Sequence, residues 1–130
     1  MLAIRWKQRY SNFKKATKQL TEFIAKGELN KFEVQGLIKC FEYTFELAWK
    51  TMKDYLELEG FDVKSPRQTI KTALQAGLIN NGHTWIDALE KRNLMAHTYN
   101  ENRAKEAEDL IRNKYYDIIF NLCEKMGSLP

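Results

Sequence analysis

The chain has 130 residues, 44% of them hydrophobic and 29% charged, with a formal net charge of +4. That balance fits one soluble globular domain, residues 1–130, long enough to bury a core, and argues against a low-complexity, repetitive or linker-rich chain. The N-terminal stretch MLAIRWKQRYSNFKK is too charged for a secretory signal, and no window approaches the roughly 18 uninterrupted apolar residues of a membrane span, so a cytoplasmic protein with no membrane association is expected.

In chain order, Trp6, Tyr10, Phe13, Thr17, Leu20 and Ile24 recur at steps of three and four, which predicts a first helix stopped by Gly27. This segment also holds the charge asymmetry: residues 1–26 carry seven basic side chains against Glu22 alone. Arg5, Lys7, Arg9, Lys14, Lys15 and Lys18 would favour phosphates or form a solvated helix face, and charge bias alone names no ligand. Asn30 followed by Glu33 predicts a capping box. A long second helix then runs through Val34, Leu37, Ile38, Phe41, Phe45, Ala48, Trp49, Met52, Tyr55 and Leu56 to Gly60. Gly36 inside it costs about 1 kcal/mol relative to alanine, so the close approach of another helix is expected there. Ser65, Pro66 and Gln68 supply an N-cap, a first-turn proline and an N3 partner for a short third helix ending at Gly77. Thr84, with Asp87 at N3, is the expected cap of a fourth helix. Asn100 is the expected cap of a fifth, which runs to Gly127. No segment alternates as a strand. The expected architecture is all-α, an antiparallel up-and-down bundle of about five helices. Cys40 and Cys123 fall within helical apolar patterns and read as buried free thiols, since two cysteines build neither a disulfide framework nor a complete four-ligand zinc site.

The stretch ALEKRNLMAHTYNEN, residues 88–102, interrupts this pattern. On a continuous helix at about 100° per residue, Trp85, Ala88, Leu89, Met95, Ala96 and Tyr99 all fall within roughly 60° of Arg92. A permanently charged guanidinium at the centre of an apolar arc requires an acidic partner, an anionic ligand or a wet cleft between subunits. Glu42 or Glu46, flanking the apolar face of the second helix, would serve as the partner, and His97 would then be an ordinary helix-end histidine. Alternatively Arg92, Asn93 and His97 line one cleft, with a bend near His97 letting them converge. His83 reads as a loop histidine without metal partners. No phosphate-binding loop, dinucleotide fingerprint or zincin motif occurs, no metal site or cofactor is implied, and without strands or a metal-binding carboxylate pair the chain is not itself expected to be a nucleotidyltransferase.

The segment RNLMAHTY resembles the R-x4-H-x-Y signature of HEPN domains, small helical partners of minimal nucleotidyltransferases. CFEYTFELAWKTMKDYLELEG, SPRQTIKTALQAGLI and WIDALEKRNLMAHTYNE extend the likeness across roughly residues 5–126 to the subfamily of nucleotidyltransferase substrate-binding proteins. The resemblance implies a homodimer in which two copies of Arg92 and His97 face a shared cleft, and a nucleotidyltransferase partner encoded nearby in a toxin–antitoxin-like pair. It also implies an RNA or nucleotide ligand, with Tyr99 as an adenylylation site. On that reading His97 moves protons and Arg92 binds the phosphate of RNA during metal-independent cleavage, while Asn93 orients His97 or substrate. The alternative is a non-catalytic subunit that uses Arg92, Asn93, His97 and Tyr99 to hold a nucleotide or other substrate for the transferase. A purely structural helical protein is the third reading.

Overall fold

The computed structural model describes all residues, Met1–Pro130, and is all-α. The elements are α1 (Leu2–Lys26), α2 (Lys31–Leu58), α3 (Pro66–Gln75), α4 (Gly82–Glu90), the single turn α5 (Arg92–Met95), α6 (Glu101–Leu110) and α7 (Tyr116–Gly127). A π-helical turn, Ile111–Tyr115, joins α6 to α7, so the predicted fifth helix is one rod with a widened turn inside it. No helix is long and apolar enough to cross a membrane.

The predicted punctuation sets most of these boundaries. Gly27, Gly60 and Gly77 take positive φ after α1, α2 and α3. The Asn30 carboxamide oxygen accepts from the Phe32 and Glu33 amides, and the Glu33 carboxylate accepts from the Asn30 amide, which completes the capping box of α2. Ser65 Oγ accepts from the Gln68 amide, while Gln68 Oε1 reaches back one residue further than expected, to the Lys64 amide. The fourth helix departs from expectation. It starts at Gly82, with the Asn81 carbonyl receiving the Trp85 amide, so Thr84 lies inside the helix rather than capping it. Gly82 permits that start because a Cβ there would stand 2.7 Å from Leu74 Cδ2 of α3.

Helices α1 and α2 run antiparallel: Lys26 pairs with Glu33 beside their connection and Arg9 with Asp54 (2.8 Å) toward the far end. Phe23 of α1 explains Gly36, since its Cζ lies 3.0 Å from where a Cβ would stand. Helix α7 returns antiparallel along α1, with the Tyr10 hydroxyl donating to the Cys123 carbonyl (2.9 Å) and Thr21 bonded to Tyr116 (2.7 Å). Between these rods, Phe41 stacks on Tyr115 (5.6 Å between centroids) and Phe45 packs against Trp85 (5.7 Å). Burying such rings, each stabilising by about 1.5–3 kcal/mol, fixes the long helices and leaves α4 to the first turn of α6 as a cover over α2 from its first turn to its middle. Both cysteines are buried and free.

Candidate functional site

The segment that joins α4 to α6 does not continue as one helix. Lys91 takes φ −79° and ψ 2°, ending α4; α5 makes a single turn, and residues 96–99 turn again before Asn100 caps α6 by accepting from the Asn102 and Arg103 amides. The arc projected around Arg92 is therefore broken. Trp85, Ala88 and Leu89 remain buried and Met95 is buried after the break, whereas Ala96 and Tyr99 turn outward. Arg92 is itself half exposed, its side chain retaining 50% of its accessible area. Keeping a guanidinium in an apolar face would carry a large desolvation cost, and interrupting the helix beside it removes that conflict. No glycine or proline marks the break, so periodicity alone predicts a continuous helix there.

Arg92 Nη1 stands 4.0 Å from Glu46 Oε2 on α2, one of the two acidic partners expected for it. That carboxylate is already oriented, because the same oxygen accepts from Trp49 Nε1 at 2.8 Å. Arg92 and Asn93, with Ser65, Arg67, Leu89 and Glu90, line a hollow of about 460 Å³ between the starts of α3 and α5. Arg67 is bound there to Glu90 at 3.1 Å, a closer pair than the one Arg92 makes with Glu46.

His97 and Tyr99 come together on the other side of the turn, their rings edge to face with centroids 6.2 Å apart. Both are exposed. What holds them is the residue between. Thr98 keeps only 7% of its area; its carbonyl accepts from Gln35 Nε2 at 2.7 Å, and its hydroxyl is shared between Gln35 Oε1 (3.2 Å) and the Met95 carbonyl (3.4 Å). Met95 and Thr98 thus anchor the segment to the bundle while Arg92, Asn93, His97 and Tyr99 project from it. The structure thus groups Arg92 with Asn93 at one hollow and His97 with Tyr99 beyond the turn, and no hydrogen bond or ring contact joins the two pairs.

Tyr99 also lines a second cleft of about 460 Å³, between the first turns of α2 and α6, with Lys31, Phe32, Gln35, Glu101 and Lys105. Sequence reading missed this cleft. Its signal in the sequence is Phe32, an aromatic two residues ahead of Val34, where the apolar stripe of α2 begins, and so outside that stripe; it is 76% exposed in the structure. The basic side chains of α1 divide: Arg9 and Lys26 form ion pairs, while Lys14, Lys15 and Lys18 line a groove of about 370 Å³ against Phe120 of α7, remote in sequence from the Arg92 segment.

A family model described as nucleotidyltransferase substrate binding protein like matches residues 8–128. A curated Haemophilus influenzae protein named as probable ribonuclease HepT is 29% identical over 76 residues, covering 55% of this chain. The match covers 52% of that relative, so the chain spans about half the length of the curated protein it matches. A crystal structure of a Thermus thermophilus protein superposes with a TM-score of 0.75 at 30% identity, covering 88% of this chain and 96% of the other. A Haemophilus influenzae structure, described as revealing the fold of a substrate binding domain of a nucleotidyltransferase, superposes with a TM-score of 0.70 at 20% identity over 98% and 100% of the two chains.

Proposed function

The chain belongs to the nucleotidyltransferase substrate binding protein-like family, and from that premise we propose that it is the helical subunit of a two-component module whose other member is a minimal nucleotidyltransferase. In this reading the chain forms a homodimer across the ledge of residues 92–99, binds RNA at Arg92, Asn93 and His97, and cleaves it without a metal. Tyr99 is the residue the transferase adenylylates to silence it. The observation that supports this best is the alternation on the ledge: Met95 and Thr98 are buried anchors, and the three signature residues, Arg92, His97 and Tyr99, are presented outward with Asn93 on the backbone they hold.

The chemistry follows from those groups. One imidazole takes the proton of a ribose 2′-hydroxyl as that oxygen attacks the adjacent phosphorus. The bond from phosphorus to the 5′-oxygen breaks, and that oxygen receives a proton from the second imidazole of the dimer. The products are a 2′,3′-cyclic phosphate and a 5′-hydroxyl. Arg92 stabilises charge on the non-bridging oxygens with two parallel N–H donors, a geometry that lysine cannot copy. Asn93 neighbours Arg92 in its hollow and steadies the substrate there. A nucleotide attached at Tyr99, whose ring meets that of His97, would bar RNA from the imidazole.

The second reading, a non-catalytic subunit that holds nucleotide for the transferase, is favoured by one observation: Arg92 faces Glu46, and its hollow is distinct from the cleft of Tyr99. Purified protein incubated with RNA in chelator separates the two. Cleavage abolished by Arg92→Ala and by His97→Ala is expected; intact RNA together with retained nucleotide binding would favour the second reading. Sedimentation tests the dimer, and a strictly monomeric species at micromolar concentration would remove the shared cleft.

A further inference from the structure

The cleft between α2 and α6 is built differently from the hollow at Arg92. Two aromatic rings stand almost free in solvent together on it, Phe32 of α2 at 76% and Tyr99 of the turn before α6 at 85% exposure. Its floor is rigid, since Thr98 is tied to Gln35 by two hydrogen bonds and Ala104 is buried. Most of its charges are spoken for. Lys105 pairs with Asp109 (3.2 Å) and Glu108 (3.8 Å), and Glu108 also holds Arg112 (3.0 Å). Lys31 instead lies over the Phe32 ring, its Nζ 5.3 Å from the centroid, and Glu101 sits on the rim.

A flat apolar ring, one available cation and one carboxylate suit a nucleoside monophosphate better than a polyanion, which the glutamates would repel. The volume of about 460 Å³ lies within the range of small-molecule sites, about 300–1,000 Å³. We propose that this cleft is the seat of the adenylyl group carried by Tyr99, with the base stacked on Phe32, the phosphodiester beside Lys31 and the Glu101 carboxylate accepting from the nucleoside. The proposal rests on the reading of Tyr99 as the acceptor. In forming the adduct, the Tyr99 oxygen attacks the α-phosphorus of ATP, the bond to pyrophosphate breaks, and the phenolic proton passes to solvent. Folding the nucleotide into the cleft then shields the new phosphodiester from hydrolysis and makes the silenced state long-lived.

The test uses full-length chain adenylylated by coexpression with its nucleotidyltransferase, then treated with a phosphodiesterase while the mass of the Tyr99 peptide is followed. Phe32 is at the surface, so Phe32→Ala should fold normally. It is expected to release AMP about 5- to 100-fold faster, the effect of losing one base–aromatic stack, with Phe32→Trp restoring slow release and Lys31→Ala giving a smaller acceleration. Equal release rates for Phe32→Ala and the unsubstituted chain would overturn the proposal while leaving Tyr99 as acceptor. An unmodified Tyr99 beside an active transferase would overturn the acceptor reading itself, and the proposal with it.

Discussion

Gln35 and Thr98, 63 residues apart, exchange two hydrogen bonds, the Gln35 amide donating to the Thr98 carbonyl at 2.7 Å and the Thr98 hydroxyl to Gln35 Oε1 at 3.2 Å. This pair fixes the ledge to α2 just ahead of the start of α6. A hydrogen bond of this kind contributes about 0.5–1.5 kcal/mol net. Gln35→Ala and Thr98→Val should each lower unfolding free energy by about 1 kcal/mol in denaturant titrations. Hydrogen exchange should rise locally at residues 96–99, because the segment loosens before the bundle does. Unchanged exchange there would mean that Met95 alone holds the ledge.

Glu46 holds Arg92 in check. Both side chains are about half exposed, so the pair contributes under about 1 kcal/mol to stability. Glu46→Gln should change the melting temperature little, yet tighten binding of an RNA oligonucleotide about two- to fivefold, since Arg92 no longer shares itself with a carboxylate. Arg92→Lys keeps the charge but not the paired donors, and should slow cleavage about 100-fold. Weaker binding in Glu46→Gln, seen by fluorescence anisotropy, would show that Glu46 positions Arg92 rather than competing for it.

Beneath the ledge, the Tyr115 hydroxyl donates to Asp87 and Lys91 lies 3.2 Å from the same carboxylate. The Tyr115 hydrogen bond first, and Lys91 after it, hold the Asp87 carboxyl below its ordinary 3.8 against the opposing effect of burial. Burial, and then the bond to Asp87, push Tyr115 above its ordinary 10.0. A lowered folded-state carboxyl contributes stability above its ordinary pKa and loses it as pH falls through the folded value. A raised tyrosine contributes below its ordinary pKa and loses it as pH rises through the folded value. Tyr115→Phe should therefore cost about 1.5–3 kcal/mol near neutrality, shrink the acid loss and erase this residue's alkaline loss. Denaturant midpoints measured at about pH 3, 7 and 11 read all three effects; an unchanged alkaline limb would assign it to another tyrosine.

Gly36 faces the Phe23 ring at a distance that leaves almost no room for a methyl group. Gly36→Ala should be close to neutral, because the helix-propensity gain of about 1 kcal/mol offsets a small shift of Phe23. Gly36→Leu should lose about 1–3 kcal/mol by forcing α1 and α2 apart. A stable leucine variant in thermal melts would show that the two helices are not in tight register at this point.

Most of the scaffold is legible in the residue order. Asn30 with Glu33, Ser65 with Pro66, and Asn100 are caps whose side-chain chemistry is local, so they act wherever the chain goes. The apolar stripe of α2 is legible because Leu37, Phe41, Phe45 and Met52 share one face and all are buried. The break at Lys91 is not, because it is driven by the tertiary cost of Arg92 and the fit of Met95 and Thr98 rather than by a local breaker. The early start of α4 rests on the Gly82–Leu74 contact, a pairing invisible to spacing. At the candidate site the signature residues are legible by type and order. The division between Arg92 with Asn93 in one hollow and Tyr99 in another is not, since it depends on two turns in the short stretch from Lys91 to Asn100.

Whether the ledge breaks a phosphodiester is read most directly from the ends left on a defined single-stranded RNA after incubation with the purified chain in chelator. Proton transfer by His97 with Arg92 on the phosphate predicts fragments with 2′,3′-cyclic phosphate and 5′-hydroxyl ends, absent with Arg92→Ala and with His97→Ala. Intact RNA with the nucleotide still bound, or ends carrying 3′-hydroxyl and 5′-phosphate, would contradict it.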